Sequence, residues 1–280
     1  MTASATIPET PATRSGRRPH LGSKGPTWRW RRSAVLIERN LMIYRRSITP
    51  LAFGLIEPIM YLLTIGFGVG ALVGTVPGVE VRYPAYVAPA ILATTAMNTA
   101  FSQTCFAVFS RIKIEGTYLA IVPTPLTPAD IAIGEIVSAL LNGLLTSVGF
   151  LAAAAILGLV VSPGILFAIV AAAVVGYAFA AGGLAVTTFV RDFPDFQLIQ
   201  LFMLPMYLFA TTFYPLSTYP RWLQPIIEAL PLYQSIVLVR DPSLGDWDAG
   251  PIVFAAAYLL CFAVVTTTIA TRRLGRKLHV

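Results

Sequence analysis

The sequence predicts an all-α integral membrane protein that crosses the bilayer several times. Of its 280 residues, 56% are hydrophobic and 12% are Asp, Glu, Lys or Arg, about half the charged share of a typical soluble domain. The mean hydropathy is +0.73. The charges collect at both termini and in short islands, and the apolar stretches between them reach the roughly 20 residues that a helix needs to cross a bilayer core.

Six apolar stretches predict six membrane spans. They cover residues 50–73, 86–110, 131–160, 165–190, 196–214 and 252–271. Glycines recur in the first span, and Gly182 and Gly183 are adjacent in the fourth. Because small residues let helices approach closely in lipid, these glycines predict tight helix packing.

The N-terminal region divides into a tail and an amphipathic helix. Residues 1–27 are rich in Pro, Ser, Thr and Arg and predict a disordered, basic, cytoplasmic tail, so that residues 28–280 form the transmembrane domain. Residues 28–46 have a helical pattern with an apolar face and three arginines spaced seven apart, Arg32, Arg39 and Arg46. This pattern predicts a helix lying flat in the cytoplasmic membrane interface.

Residues 215–238 are apolar but contain four prolines, at Pro215, Pro220, Pro225 and Pro231. Prolines at this spacing exclude one continuous spanning helix. The segment predicts two short helices that form a re-entrant hairpin at the outer interface before the last span, with their backbone covered by protein or facing a cavity.

The distribution of basic residues predicts the orientation. If both termini are cytoplasmic, then all of the 20 lysines and arginines lie inside except Arg82, Arg221 and Arg240. This asymmetry follows the positive-inside rule and agrees with an even number of spans. The net charge of +7 and the pI of about 9.6 therefore indicate contact with anionic lipid rather than with nucleic acid. We predict a multi-pass protein of the cell membrane.

The sequence contains no motif for ATP hydrolysis. A P-loop requires Gly-Lys-Ser/Thr, and none of the lysines, Lys24, Lys113 and Lys277, follows a glycine. The histidines, His20 and His279, lie in the terminal tails, and the cysteines form no CxxC pair. We predict neither a catalytic residue nor a metal site in this chain.

Two acidic features leave alternatives open. Glu57, followed by Pro58, lies inside the first span, where it is either a structural acid or the proton relay of a proton-coupled secondary transporter. Asp192 and Asp195 form either a solvated turn or the Mg²⁺-diphosphate site of a membrane-embedded prenyl-type transferase, although the second acidic cluster of such enzymes is missing. Glu135 is predicted at the membrane interface.

Three groups of residues occur in a distinctive order along the chain. The first joins Arg39 to Glu57-Pro58 and the glycines from Gly66 to Gly74; the second runs from Glu115-Gly116-Thr117-Tyr118 through Thr124-Pro125-Leu126 to Gly134-Glu135. The third contains Phe213-Tyr214-Pro215-Leu216-Ser217, Trp222-Leu223, Leu230-Pro231-Leu232 and Arg240. In their order and placement, these groups resemble the permease subunits of type-2 ABC exporters, in the branch that includes nodulation lipo-oligosaccharide and daunorubicin-resistance permeases.

The resemblance implies a function and a set of partners. It implies a cytoplasmic coupling helix at residues 115–122, with Glu115, Gly116, Thr117 and Tyr118, and an outer gate formed by Phe213, Tyr214, Pro215 and Trp222. A second, identical permease chain would complete the pathway. Two separate ATPase subunits would bind ATP and magnesium, so this chain itself needs no cofactor. The cargo would be a glycolipid, a lipo-oligosaccharide or a hydrophobic drug.

Overall fold

The computed structural model describes residues 49–76, 81–114 and 127–278. In these ranges the chain is helical, apart from its connecting turns and an isolated bridge between Thr75 and Arg82. The predicted tail and interface helix, with Arg32, Arg39 and Arg46, lie outside the described residues. The same holds for the predicted coupling helix at residues 115–122, with Glu115, Gly116, Thr117 and Tyr118.

Two helical segments come first, and each contains a π-helical stretch. In the first, α1 (Thr49–Tyr61) continues through π1 (Leu62–Val69) into α2 (Gly70–Val73); in the second, α3 (Tyr83–Ser102) continues through π2 (Gln103–Ala107) into α4 (Val108–Lys113). The backbone keeps right-handed helical angles at each of these junctions.

The remaining described helices are α5 to α10. They comprise α5 (Pro128–Ile156), α6 (Phe167–Thr187), α7 (Asp195–Phe209), α8 (Gln224–Glu228), α9 (Pro231–Leu244) and α10 (Ala249–Leu278). Short 3₁₀ turns precede α6, at Pro163–Leu166, and lie between α7 and α8, at Leu216–Thr218.

The predicted class, an all-α membrane protein, is confirmed. Four segments in the described part of the chain are long and apolar enough to cross a bilayer, namely Gly54–Val73, Pro128–Ile156, Pro163–Thr187 and Ala249–Arg276. The predicted second span lies within the continuous segment from α3 to α4. Its α3 part is largely buried against α5, α6 and α9, so its side chains contact protein more than lipid and need not be strongly apolar. The count of six spans stays a prediction.

The predicted fifth span is shorter than expected. We predicted residues 196–214, but α7 ends at Phe209 after 15 residues, about 22 Å at helical rise and less than a bilayer core. The physical reason is Thr211, whose φ of 61° places it in the left-handed region, where a helix cannot continue. The Thr212 hydroxyl then donates to the Tyr207 carbonyl at 3.2 Å.

The proline-rich segment forms two helices as predicted, although the second extends further. The helix α8 has five residues, whereas α9 continues past the predicted end at residue 238 to Leu244, where Gly245 has a φ of 91° and forms a left-handed cap. Residues 234–240 are buried, and α9 packs against α3, α6 and α10. The middle of α9 is therefore covered by protein, whereas most of α8 is exposed.

The helices of the predicted third and last spans, α5 and α10, also differ from prediction at their ends. Helix α5 begins at Pro128 because Thr127 and Asp130 form a capping box, in which each side chain accepts a hydrogen bond from the other residue's backbone N–H. It ends at Ile156, before the predicted residue 160. Helix α10 extends beyond the predicted 252–271 on both sides.

The helices place most of the described basic residues at one end of the bundle. Here Arg111 pairs with Glu135, the Lys113 Nζ lies 4.0 Å from an Asp192 carboxylate oxygen, and the Arg273 guanidinium lies 3.7 Å above the Phe189 ring. We call this the basic end. The opposite end holds residues 74–82, the Pro163–Leu166 turn and α8, and includes the three bases predicted to lie outside. Which end faces the cytoplasm stays a prediction.

Candidate functional site

A groove of about 760 Å³ opens between α1, the α3–π2 segment and α7. Many of its lining side chains are polar and uncharged, which is unusual on a membrane bundle. They include Thr99, Ser102 and four primary amides, Asn98, Gln103, Asn142 and Gln200. The groove therefore offers hydrogen-bond donors and acceptors within an otherwise apolar protein.

The π-helical stretch π2 places Gln103 in the groove. Its Oε1 accepts a hydrogen bond from the Asn142 Nδ2 at 2.8 Å, which joins π2 to α5. The Gln103 Nε2 is buried and has no hydrogen-bond partner among the described residues. In the preceding residue, the Ser102 hydroxyl donates to the Asn98 Oδ1 at 3.3 Å. The groove wall thus includes a buried amide donor that no described residue satisfies.

A contact with α6 accommodates the irregular backbone of π2. The Thr187 hydroxyl lies 2.9 Å from the Thr104 carbonyl and 3.1 Å from the Cys105 carbonyl. A π-helical stretch leaves such carbonyl groups poorly matched to the regular helical pattern. The Thr187 hydroxyl, which is also 2.8 Å from the Gly183 carbonyl of its own helix, shares its single hydrogen among these acceptors. Helix α6 therefore helps to hold the bulge that orients Gln103.

Aromatic rings form another part of the groove wall. The Tyr61 ring on α1 and the Tyr207 ring on α7 have centroids 6.1 Å apart, and both residues line the groove. Towards the basic end, Phe106 of π2 stacks on Phe196 of α7 at 4.4 Å. These contacts connect α7 to the rest of the bundle and give the groove an amphipathic lining.

Glu57 lies on α1 and lines this groove. Its side chain is exposed in the single chain and forms no salt bridge or hydrogen bond with a described residue. No second acid and no histidine lines the groove in the described part of the chain. A proton relay needs a series of exchangeable groups, so the structure gives the proton-coupled alternative no support.

Asp192 and Asp195 form a turn at the start of α7. The Asp195 Oδ2 accepts hydrogen bonds from the backbone N–H of Arg191 at 2.8 Å and of Asp192 at 3.4 Å. Among residues 49–76, 81–114 and 127–278, no group of three or more His, Cys, Asp or Glu could hold a metal ion. The pair fits a solvated turn, and the prenyl-type transferase alternative gains no support.

An ion pair connects the two helices that flank residues 115–126. Arg111, in the last turn of α4, pairs with Glu135 in α5. We predicted Glu135 at the membrane interface, but its exposed fraction is only 1%. Its burial arises because α4 and α5 pack side by side at the basic end, where the arginine compensates the buried charge; its depth in the membrane stays a prediction.

The residues of the predicted outer gate lie at the opposite end of the bundle. Phe213 is buried against Tyr207, with ring centroids 5.7 Å apart, and its carbonyl accepts a hydrogen bond from the Tyr83 hydroxyl at 3.2 Å. Tyr214 is exposed, Pro215 is half-buried, and Trp222 has 72% of its surface exposed. The structure places Phe213 just after α7, at the end opposite the basic end, while Trp222 extends from the segment before α8.

Most of this chain matches a known family of membrane proteins. Residues 32–242 match the family model described as ABC-2 type transporter, which covers well over half of the chain. The chain belongs to the ABC-2 type transporter family. It is a membrane permease subunit of an ABC exporter, as the resemblance in the sequence implied.

Similar proteins support this membership along nearly the whole chain. Nodulation protein J of Sinorhizobium fredii (strain NBRC 101917 / NGR234) is 33% identical over 253 residues, which are 90% of this chain and 94% of that protein. Nodulation protein J of Rhizobium leguminosarum bv. viciae is 33% identical over 242 residues, 86% and 92% of the two chains. That of Rhizobium meliloti (strain 1021) is 30% identical over 256 residues, 90% and 94%.

Some residues of the ABC-2 permease site were missed by the sequence prediction. The groove amides escaped notice because the prediction considered ionisable residues, although Asn98, Asn142 and Gln200 stand out within apolar stretches. Arg240 was predicted near the outer side, but its burial was not. Its Nη1 donates to the Tyr86 hydroxyl at 2.9 Å and to the Thr211 carbonyl at 3.0 Å.

Proposed function

We propose that this permease moves an amphipathic or lipid-linked molecule along the groove between α1, α3 and α7. The observation that carries the proposal is the polar lining of a membrane-depth groove. Amides and hydroxyls facing lipid would be left without partners at considerable cost. The headgroup of such a cargo would form hydrogen bonds with these side chains, while its acyl chain would remain in the bilayer.

We further propose that a second permease chain, identical to the first, completes the pathway. Two elements that line the groove, α1 and α7, are largely exposed in the single chain. In α7 Phe196 alone is buried, and on α1 the lining residues Glu57 and Tyr61 are exposed. Lipid can cover the apolar residues on these elements but not Glu57 and the amides. A second copy placed against α1 and α7 would close the groove into a shared pathway.

Energy would come from two separate ATPase subunits that bind ATP and magnesium at the basic end. The pair of Arg111 and Glu135 fixes both helices that flank residues 115–126, where the sequence predicts the coupling helix. A force applied there would move α4 and α5 together, and α4 is continuous through π2 with α3. This gives a rigid connection from the basic end to the groove wall, as rigid-body transmission requires.

We propose an orientation in the membrane and a class of cargo for this permease. The basic end would face the cytoplasm, with both termini inside, according to the positive-inside rule. Transport would then run outward, past Phe213 and the other predicted gate residues. The similar proteins bear the name nodulation protein J, and a lipo-oligosaccharide is one cargo that fits the amphipathic groove, alongside glycolipids and hydrophobic drugs.

ATP hydrolysis by the reconstituted complex tests this function. The full chain is reconstituted in vesicles with its cognate ATPase subunits, and ATP hydrolysis is measured with and without an acyl glycoside. We expect the glycoside to stimulate hydrolysis, and we expect Thr117→Lys, in the proposed coupling helix, to abolish the stimulation. Thr218→Lys introduces the same change on an exposed residue at the opposite end and should leave it intact. Equal stimulation in both variants would contradict the coupling role.

A further inference from the structure

The described lining of the groove carries a negative charge and no positive one. Glu57 lines it, whereas no lysine, arginine or histidine does so among the described residues. The other polar lining groups are amides, hydroxyls and tyrosines, which bind neutral groups and carry no formal charge. A headgroup that enters the groove therefore meets a single acidic side chain and no fixed positive charge in the described structure.

Among the described residues, the bases on neighbouring elements do not offset this acid. On the segment that includes α3, Arg111 is paired with Glu135, and Lys113 lies at the basic end near Asp192. Helix α7 contains no base, and its acid, Asp195, accepts backbone hydrogen bonds at the start of the helix. The Glu57 side chain itself is exposed to the groove without a salt bridge to a described residue.

We infer that the groove selects against anionic headgroups, and that Glu57 is the residue that determines this selection. The preferred cargo has a cationic headgroup or a neutral one rich in hydroxyl or amide groups. The physical reason is that charges interact more strongly at a partly dry membrane site than in water. The inference rests on the proposed function, because it assumes that the cargo headgroup occupies this groove.

Binding of three matched probes tests the inference. The full chain, with its cognate ATPase subunits, is placed in nanodiscs of phosphatidylcholine, which carries no net charge. The probes are fluorescent dodecyl chains that end in trimethylammonium, in glucose or in sulfate. We expect the wild type to bind the trimethylammonium probe roughly tenfold more tightly than the sulfate probe, as a nearby unit charge would produce at an intermediate dielectric.

Three variants separate the role of Glu57 from a general effect of charge. Glu57→Gln should bring the two dissociation constants within about twofold of each other, as follows when the unit charge is removed. Gln200→Lys places a positive charge in the same groove, which offsets Glu57, and should likewise remove most of the preference. Glu228→Gln removes an exposed acid on α8, outside the groove, and should keep the wild-type ratio. Monodisperse elution checks that each variant is folded.

The possible results distinguish the two proposals. If the probes bind but the wild type shows no preference, or if Glu57→Gln keeps the preference, the inference is overturned and the groove remains a cargo site. If none of the three probes binds to the wild-type complex, the proposed function of the groove fails as well. A lost preference in both Gln200→Lys and Glu57→Gln, with the wild-type ratio kept in Glu228→Gln, supports both.

Discussion

At the scale of single residues, Arg240 shows how one buried side chain connects three parts of the permease. It lies on α9, donates to the Tyr86 hydroxyl on α3 and to the Thr211 carbonyl, and stacks 4.7 Å from the Tyr86 ring centre. Thr211 is the residue whose left-handed conformation ends α7. The guanidinium therefore stabilises a strained turn after α7, at the end of the bundle opposite the basic end.

Replacing Arg240 with glutamine should loosen this turn. Arg240→Gln shortens the side chain and removes the charge-assisted hydrogen bonds, at a cost of roughly 1.5–3 kcal/mol in folding free energy. We expect faster amide hydrogen exchange in residues 210–214, measured by mass spectrometry. Arg221→Gln removes an exposed base from the same end and should not change this exchange. Unchanged exchange in Arg240→Gln would contradict the role of the arginine.

The sequence indicates single residues well where their chemistry is unusual for their position. Glu57 stood out because an acid inside an apolar span is rare, and Arg240 was correctly placed among the bases opposite the basic end. Its burial was not predictable, because its partners Tyr86 and Thr211 are 154 and 29 residues away in sequence. The same applies to Gln103 and Asn142, which meet only when π2 packs on α5.

At the scale of helices, α3 and α6 cross in close contact at Gly183, a glycine of the fourth predicted span. A Cβ at Gly183 would lie 2.3 Å from the Thr104 Oγ1 and 2.6 Å from the Phe101 carbonyl oxygen. Both distances are shorter than van der Waals contact permits. The sequence predicted tight packing at Gly182 and Gly183, and the structure shows that Gly183 is the one in close contact.

A methyl group at Gly183 should therefore destabilise the permease. Gly183→Ala forces α6 away from α3 and from π2, at a cost of about 1–3 kcal/mol. Gly182→Ala adds the same group one residue earlier, where the nearest atoms are 3.4 Å away on the flexible Phe262 ring, and should be tolerated. Thermal unfolding in detergent, followed by intrinsic fluorescence, measures both. Equal unfolding temperatures would show that the helices can separate without loss.

The limits of prediction at this scale have physical causes. The four prolines between Pro215 and Pro231 correctly predicted a broken helical segment, since proline acts locally on the backbone. The end of α7 at Phe209 was missed because it depends on a turn that Arg240 supports from another helix. The bulge at π2 was missed for a similar reason: Thr187, which contacts its carbonyls, lies 83 residues further along.

At the scale of the whole molecule, the sequence predicted the class, the segregation of the bases and the hairpin, but not the groove. Class and segregation follow from composition and order along the chain. The groove depends on α1, α3 and α7 coming together, and no local pattern shows that their polar residues share one wall. The structure also shows an asymmetry of packing, in which α6 is mostly buried whereas α7 is mostly exposed.

This asymmetry predicts the face on which two permease chains meet. Leu204 on α7 lines the groove and is 61% exposed, whereas Val264 on α10 is 66% exposed and lies away from the groove. If a second chain covers the groove, then Leu204→Cys should form a disulfide-linked dimer in native membranes, because the two copies approach each other there. The background is Cys261→Ser, since Cys261 is an exposed free cysteine on α10.

Val264→Cys is the matched control, because its exposure is similar but lipid is expected to cover it. We expect oxidation with copper phenanthroline to give a dimer band on a non-reducing gel for Leu204→Cys and little for Val264→Cys. Adding a cargo that fills the groove should reduce the cross-linking of Leu204→Cys. Stronger cross-linking through Val264→Cys would place the partner on α10, and the groove would then face lipid instead of a second permease chain.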